Sequence, residues 1–496
     1  MKFKELSIKT LVSLMLIMGL SGCEDFLKTQ SSTDISDTQV LADAANLNML
    51  LQGCYKSLYF DHDRVYKGFP GYQMYVDLSG SDILCTENLA GVQSDAYKYE
   101  QQRTSASGYS SEIWNLMYNN INSLNIIIAN IKDSNGDAAL KETVEGQALA
   151  LRGICYFNLI QFYQQTYIIA KDKKGVILRL SPDDPHGGQR ASVETCYEQI
   201  VKDLTGAKSK LESFSRTEKY YVDKYVTSGI LARVYLVMNK WAEAEAEAGI
   251  AYNEYSKLMS KEEYRSGFTN KDIQEVMWAV NQTDDVNFGF DPQYSFWYNY
   301  DENPDDIPPI YNYKAFFVNN KYVELFEETE DRYQFWHRSE PAWNAYWTYN
   351  KWKDNGDGNG KSRGSVPLMR GAEMLLIRAE ARAQQNGKTT EALSDLQTLQ
   401  NARGVKNITT TSDKTALLDA IYIERRKELL GEGVTGMLDL LRLQRPLVRE
   451  GDHFDFGKRI SPLPSNDYRF ICQIPTREFE LNKDLTSDDQ NPFSGQ

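Results

Sequence analysis

The chain has 496 residues, 41% of them hydrophobic, and a formal net charge of −14 at neutral pH. That acidity argues against nucleic acid or anionic headgroups as main partners, because a negative body is repelled by phosphate, and it suits a neutral ligand. Length and apolar content together suffice for a sizeable core.

The chain begins with an address. Residues 1–22 carry Lys2, Lys4 and Lys9, followed by an apolar run from Leu11 to Leu20. About ten apolar residues fall short of the roughly 20 that a spanning helix needs. A basic start with a short apolar core is instead the layout of a secretory signal peptide. The run closes on "LSGC", Leu20 to Cys23, which resembles a bacterial lipoprotein signal. The resemblance implies cleavage before Cys23 and acylation of its thiol. Removing three lysines and one glutamate would take the formal charge from −14 to −16. Each buried lipid methylene contributes about 0.8 kcal/mol and one chain alone anchors only reversibly, so two or three chains give a durable tether. Glu24-Asp25 resembles the acidic export signal of surface-exposed lipoproteins.

Helical periodicity dominates the chain beyond residue 110. "SEIWNLMYNNINSLNIIIANI" places Ile113, Leu116, Met117, Ile121, Leu124 and Ile128 on one stripe. "ETVEGQALALRGICYFNLIQFYQQ" predicts a second helix, and the segment from Val226 to Tyr255 predicts a pair that turns near Asn239-Lys240. Residues 369–404 repeat that design, with a stop at Asn386-Gly387. "KTALLDAIYIERRKELLGEG" predicts one more helix ending on glycine. Three of these helices share an arginine set among apolar and small residues: Arg152, Arg233 and Arg378. Paired helices with small contact residues are the units of tetratricopeptide-like arrays, although the irregular spacing argues against a long regular superhelix. The fold class expected is mostly α, tetratricopeptide-like helical hairpins with a large loop-rich, aromatic insertion. A single domain over 23–496 is expected, with the scaffold at about 35–264 and 368–445. The insertion covers about 265–367, with a short helix near Lys314–Glu328, and 446–496 is an irregular C-terminal segment.

After Cys23 come Cys54, Cys85, Cys155, Cys196 and Cys472, an odd number without metal spacing. Cys155 reads as a buried thiol. A Cys54–Cys85 bridge is left open by the sequence.

The order of the motifs "CEDFL", "IWNLMYNNINSLNIIIANI", "EGQALALRGICYFNLIQFY", "MLLIRAEARAQQNG", "LQNARGV", "ERRKELLGEG" and "LDLLR", closing with "IPTREFELNKDLTSDDQNP", resembles the SusD/RagB family. The resemblance spans nearly the whole chain. After "GEG" the family usually carries an arginine and an aromatic before Asp-Leu, where this chain has "VTGMLDLL". The resemblance implies a tetratricopeptide-like scaffold and an outer-membrane lipoprotein facing the cell exterior. It also implies capture of a glycan or related nutrient, and pairing with a SusC-like TonB-dependent outer-membrane transporter.

The insertion supplies the candidate binding surface. Of the 65 residues from Phe288 to Trp352, 21 are aromatic, and five of the eight tryptophans lie there. Aromatic rings pack on the C–H face of sugar rings, and neighbouring Asn, Asp and Arg fix hydroxyls. Trp297, Tyr298 and Tyr300 in "YSFWYNYDEN", and Trp343 and Trp347 in "WNAYWTYNKW", are the candidates, with core packing as the rival reading. In the resembling family the neighbourhood of the Asp77–Arg103 loop faces the ligand, which adds Asp82, Asn88 and Arg103.

No catalytic signature accompanies them. The histidines are scattered, and HExxH, GxSxG, GxxxxGK[ST] and GxGxxG are absent. "NGDGNG", Asn355–Gly360, lacks the glutamate of a calcium loop, and a glycine turn is the better reading. Arg425 and Arg426, with Glu424 and Glu428, read as ion pairs bracing helix contacts. No catalytic residue, metal or cofactor is expected. The expectation is a non-enzymatic glycan receptor held to the membrane by its lipid, with a surface glycosidase and a structural helical-repeat adaptor as rivals.

Overall fold

A computed structural model describes residues 41–59, 68–85, 91–100, 104–106, 108–280, 316–338, 346–349, 351–352 and 364–492. The expected signal segment, Cys23, residues 355–360 and most of the aromatic insertion lie outside these residues.

The helices follow the predicted stripes. They are α1 (Ala44–Tyr59), α2 (Gly68–Leu78), α3 (Gly91–Lys98), α4 (Gly108–Asn130), α5 (Ala138–Tyr163), α6 (Val193–Lys210), α7 (Lys224–Val237) and α8 (Trp241–Glu254). After the insertion come α9 (Gly371–Gln384), α10 (Thr389–Ala402), α11 (Lys414–Leu429) and α12 (Gly436–Arg442). Side-chain oxygens start several of them, Asp137 on α5, Ser192 on α6, Asp223 on α7 and Asp413 on α11, each accepting from a first-turn backbone N–H. The expected breaks are real: Asn239 and Gly387 adopt positive φ, at 56° and 79°.

From α4 to α10 each helix packs on its successor, and α9 also packs on α11. The array runs on from α8 directly to α9, so the insertion is spliced between two neighbouring helices without breaking the stack. Small residues make the close contacts, with Ala244, Ala248 and Ala251 on α8 and Ala372, Ala379 and Ala383 on α9 all buried. The recurring arginines are the cross-ties. Arg152 on α5 grips Asp203 on α6 through two bonds of 2.8 and 2.7 Å. Arg233 on α7 holds Glu373 on α9 at 2.7 and 2.6 Å, and Arg378 on α9 holds Asp395 on α10 at 2.9 and 2.7 Å. Two-pronged pairs of this kind fix the rotation of one helix against the next.

The insertion rests on short strands. β1 (Ile83–Cys85), β5 (Phe316–Val318), β7 (Trp347–Tyr349) and β6 (Trp336–Arg338) form an antiparallel sheet in that order. β4 (Val276–Val280) pairs with β8 (Val366–Arg370), joining the insertion's two ends at its root, while β2 (Lys174–Ile177) pairs with β3 (Arg190–Ser192). The helix expected near Lys314–Glu328 is shorter than the pattern suggested: Phe316–Val318 is a buried strand, and helix occupies only Asn320–Val323. Cys54 and Cys85 are buried free thiols, so the bridge left open by the sequence is not formed. Trp336 and Trp352 belong to the core, at 6% and 0% exposure.

The glycines of "GEGVTG" let the loop after α11 lie on the backbone of α2. A Cβ on Gly433 (φ +66°) would stand 2.2 Å from Gln73 Cα, and one on Gly436 (φ +40°) 2.4 Å from the Val76 carbonyl oxygen. Both positive φ and close approach demand glycine there.

Candidate functional site

The four-stranded sheet joins two sequence regions that stand far apart. Val318 on β5 is registered with Ile83 on one side and Trp347 on the other. Asp82, one residue before β1, and Trp347, the first residue of β7, thereby lie on strands that flank β5 from either side. On β7 the strand alternation buries Thr348 and leaves Trp347 half-buried.

Trp347 shares the face of Val318 and packs against the core, while on the other face of the sheet a run of rings crosses the surface. Tyr346, half-buried, packs at 5.5 Å on Phe317 and at 5.2 Å edge-to-face on Phe454. Phe454 stacks on Phe456 with centroids 5.5 Å apart and planes 1° from parallel. Both phenylalanines are half-buried. Tyr97 meets the edge of Phe456 at 5.6 Å, and the Lys98 ammonium sits 4.9 Å above the Phe456 ring. The result is a ledge of partly exposed ring faces with a cation beside it. Phe454 and Phe456 are not among the rings expected from sequence; their signal is the alternation in "HFDFGK", two rings two residues apart in a polar segment.

The loop beside the ledge is pinned carbonyl by carbonyl. Arg449 donates to the Leu78, Gly80 and Tyr97 carbonyls, at 3.1, 3.1 and 2.6 Å. Tyr99 donates to the Ser79 carbonyl, and Asn319 Nδ2 to that of Ser81 at 3.3 Å. The Asp82 carbonyl accepts from the Asn319 backbone at 2.9 Å. His453 is placed with Nδ1 2.5 Å from the Tyr97 hydroxyl and Nε2 2.9 Å from the Ser81 carbonyl. The carbonyl can only accept, so Nε2 carries the proton and Nδ1 accepts from Tyr97. Asp82 itself is neither solvated nor open to a ligand. It is 5% exposed and held by Arg426 through bonds of 3.1 and 2.5 Å. Its role at this site is to fix the loop.

Burial, with Arg449 nearby, pushes the His453 imidazole down to about 4 from its ordinary 6.5. Between these values the unfolded chain binds a proton that the folded chain refuses, so stability rises with pH through the window. Acidification from 6.5 to 4 should therefore remove about 3 kcal/mol through this group alone. Denaturant titrations in that range should show a shallower pH dependence for His453→Gln, whose amide keeps one donor and one acceptor. Equal slopes would refute the assignment.

Trp297, Tyr298, Tyr300, Trp343, Asn88 and Arg103 lie outside the described residues. Of the five predicted rings, Trp347 is therefore the one placed, and it packs half-buried against the core on the other face of the sheet from the ledge. Among the described residues no cluster of His, Cys, Asp and Glu is arranged to hold a metal ion. No helix among them is long and apolar enough to cross a membrane.

Comparison with known proteins gives a consistent picture. Residues 25–236 match the family model described as "Starch-binding associating with outer membrane", and residues 337–493 match the model of the SusD family. A SusD-like protein, P38, from Formosa agariphila is 23% identical over 492 residues, covering 87% of this chain and 90% of the relative. The crystal structure of a SusD-like carbohydrate binding protein from Bacteroides vulgatus superposes with a TM-score of 0.81 at 26% identity, covering 91% of this chain and 99% of the other. A laminarin-binding SusD-like protein shares the fold, with a TM-score of 0.69 at 20% identity and coverages of 91% and 99%.

Proposed function

Because the chain belongs to the SusD/RagB family, we propose that it is a surface glycan receptor, tethered to the outer membrane through acylated Cys23, that captures oligosaccharides and passes them to a TonB-dependent transporter. It works without chemistry, as one domain over 23–496 in which the helical array carries the aromatic region. The observation that supports this reading best is the ledge of Tyr346, Phe454 and Phe456. Partly exposed rings stacked in line are what the C–H faces of successive sugar units pack against, and the pinned loop at its side means little ordering cost on binding. Trp297, Tyr298, Tyr300 and Trp343 extend the same surface in this proposal, with Asn88 and Arg103 as hydroxyl partners. Tethering raises the local concentration of receptor at the transporter mouth.

The test is an affinity gel series with laminarin, starch and other neutral polysaccharides. The double variant Tyr346→Ala, Phe454→Ala should lose tenfold or more in affinity for whichever polysaccharide retards the wild type, with thermal unfolding little changed. Retained affinity would remove the ledge from the binding surface, and shortened chains in the incubated polysaccharide would favour the glycosidase reading. Cys23→Ala should in parallel leave the membrane fraction.

A further inference from the structure

Asp77 sits near the C-terminal end of α2, under the glycine loop that follows α11, and is 1% exposed. Its Oδ2 accepts from the Gly433 backbone N–H at 2.9 Å. Its Oδ1 is sealed from solvent and meets no donor among the described residues. One turn earlier on the same helix Gln73 is placed alike, 5% exposed, with Oε1 sealed and without a donor. The amide cannot turn over to help, because Nε2 donates to the Pro367 and Glu432 carbonyls, both at 3.0 Å. Residues four apart on a helix are neighbours on its surface, and both of these side chains lie against Gly433. Two oxygens in want of a donor are thus closed into one dry contact.

No cation is bonded to Asp77 among the described residues. The charged groups that face it are Lys351 after β7, Glu432 in the glycine loop and Asp82 before β1. Lys351 has three N–H donors, and all are committed, to the Glu428 and Leu430 carbonyls and to the Glu432 carboxylate. Arg370 on β8 is committed to Glu275, Glu428 and Glu432, and Arg449 to the Leu78, Gly80 and Tyr97 carbonyls. Glu432 and Asp82 are acids, and their charges oppose a third. The Ser79 and Thr435 hydroxyls have no partner among the described residues and so do not serve Asp77 either. A carboxylate with one hydrogen bond and no bonded cation is costly in an interior, and such a group takes up a proton instead. A proton needs no cavity, which suits two oxygens that solvent does not reach. Burial pushes the Asp77 carboxyl up from its ordinary 3.8 to about 8.

We propose that Asp77 is a proton-operated latch, which as the neutral acid accepts from Gly433 and donates to Gln73 Oε1, and as the carboxylate lets the glycine loop lift from α2. Ionisation removes the second bond and leaves a charge with no partner. Two attachments run from the latch. Glu432, inside the loop, binds Lys351 and Arg370 at the root of the insertion. The Ser79–Asp82 loop, which follows α2 directly, is the one pinned beside the ledge. Mildly alkaline pH thereby loosens the support of the ledge without any change in its rings.

Between pH 3.8 and 8 the folded chain keeps a proton that the unfolded chain has lost, so stability is highest in acid and falls as pH rises. His453 acts in the opposite sense and below 6.5, which leaves the range from 6.5 to 8 to report Asp77. Urea unfolding of the full mature chain should there show the folding equilibrium constant falling about tenfold per pH unit. Asp77→Asn, whose amide donates to Gln73 and accepts from Gly433 without titrating, should be level over the same range and more stable than the wild type at pH 8. A second measurement needs no substitution. The wild-type infrared spectrum at pH 6.5 should contain a protonated-carboxyl carbonyl band that disappears by pH 9, and Asp77→Asn should lack it. Hydrogen exchange in segments 431–436 and 78–82, corrected for its intrinsic rise with pH, should accelerate from pH 7 to 9 in the wild type alone. The proposal is overturned if the wild type lacks the band, if its stability is level from pH 6.5 to 8, or if exchange in these segments ignores pH or responds equally in Asp77→Asn. None of these readouts uses a polysaccharide, so the latch stands or falls separately from the receptor reading.

Discussion

Glu428→Gln should destabilise the protein by about 3–5 kcal/mol, the range for removing one partner from a buried ion pair. Glu428 is fully buried and accepts from Arg332 at 3.2 Å, Arg370 at 3.2 Å, Arg403 at 2.9 Å and the Tyr264 hydroxyl at 3.3 Å. Around it stand Glu275, Glu330, Glu424 and Glu432, with Lys351 and Lys427 completing the basic side. Five acids face five bases, so the cluster is neutral only when whole. The three guanidiniums hold the Glu428 carboxyl far below the usual carboxylate range despite burial. The glutamine keeps the shape and removes one negative charge, leaving a cation unmatched where water cannot reach it.

The consequence extends beyond one contact, because the cluster ties distant segments together. Arg332 precedes β6, Lys351 follows β7, Arg370 ends β8 and Arg403 follows α10. The Lys351 ammonium alone holds the carbonyls of Glu428 and Leu430 and the Glu432 carboxylate, at 2.9, 3.1 and 2.6 Å. Losing Glu428 should therefore loosen the aromatic insertion from the scaffold before the array itself melts. Urea unfolding should show a lower midpoint and an earlier change in tryptophan fluorescence, since Trp352 and Trp336 report on that root. A stability within 1 kcal/mol of the wild type would show that the cluster is energetically idle.

The scaffold was legible because its signals are local. Apolar spacing placed α4, α5, α7, α8, α9 and α11, and Arg152, Arg233 and Arg378 marked the helices that pair. Their partners Asp203, Glu373 and Asp395 were not legible, since they lie 51, 140 and 17 positions away and no nearby pattern selects them. The same limit explains Asp82, whose arginine is 344 positions distant. Arg425 and Arg426 were rightly read as ion pairs, but their carboxylates are Asp439 and Asp82 rather than neighbours on α11. Phe316, Phe317 and Val318 mimic part of a helical stripe because a fully buried strand is a continuous apolar run, which periodicity cannot tell from a helix segment. Composition marks Trp347, but only the strand register shows that it turns toward the core. Phe454 and Phe456 escaped because they fall outside the aromatic-rich window, though they stack beside it in space.

Arg449→Met should cost about 3 kcal/mol of stability, the scale of several hydrogen bonds from a charged donor offset by its relieved desolvation, and tenfold or more in glycan affinity. Arg449 is 3% exposed, and no carboxylate pairs with it among the described residues. Burial accordingly draws its guanidinium below the ordinary arginine value. What keeps it charged is the set of three carbonyl oxygens and the Tyr97 ring, 3.9 Å from the guanidinium carbon. Methionine fills the channel but leaves the Leu78, Gly80 and Tyr97 carbonyls without their donor. The Ser79–Asp82 loop and Tyr97 would then shift, and Tyr97 buttresses both Phe456 and His453. Arg449→Lys should rescue little, because one ammonium cannot span carbonyls that a planar fork reaches from three nitrogens. Arg445→Ala is the matched control: its pair with Asp419 is solvent-exposed on both sides, and such pairs contribute about 1 kcal/mol or less. Wild-type glycan affinity in Arg449→Met, measured on the same gels, would mean that the loop is held well enough by Tyr99, Asn319, Arg426 and His453 and that Arg449 serves only the core.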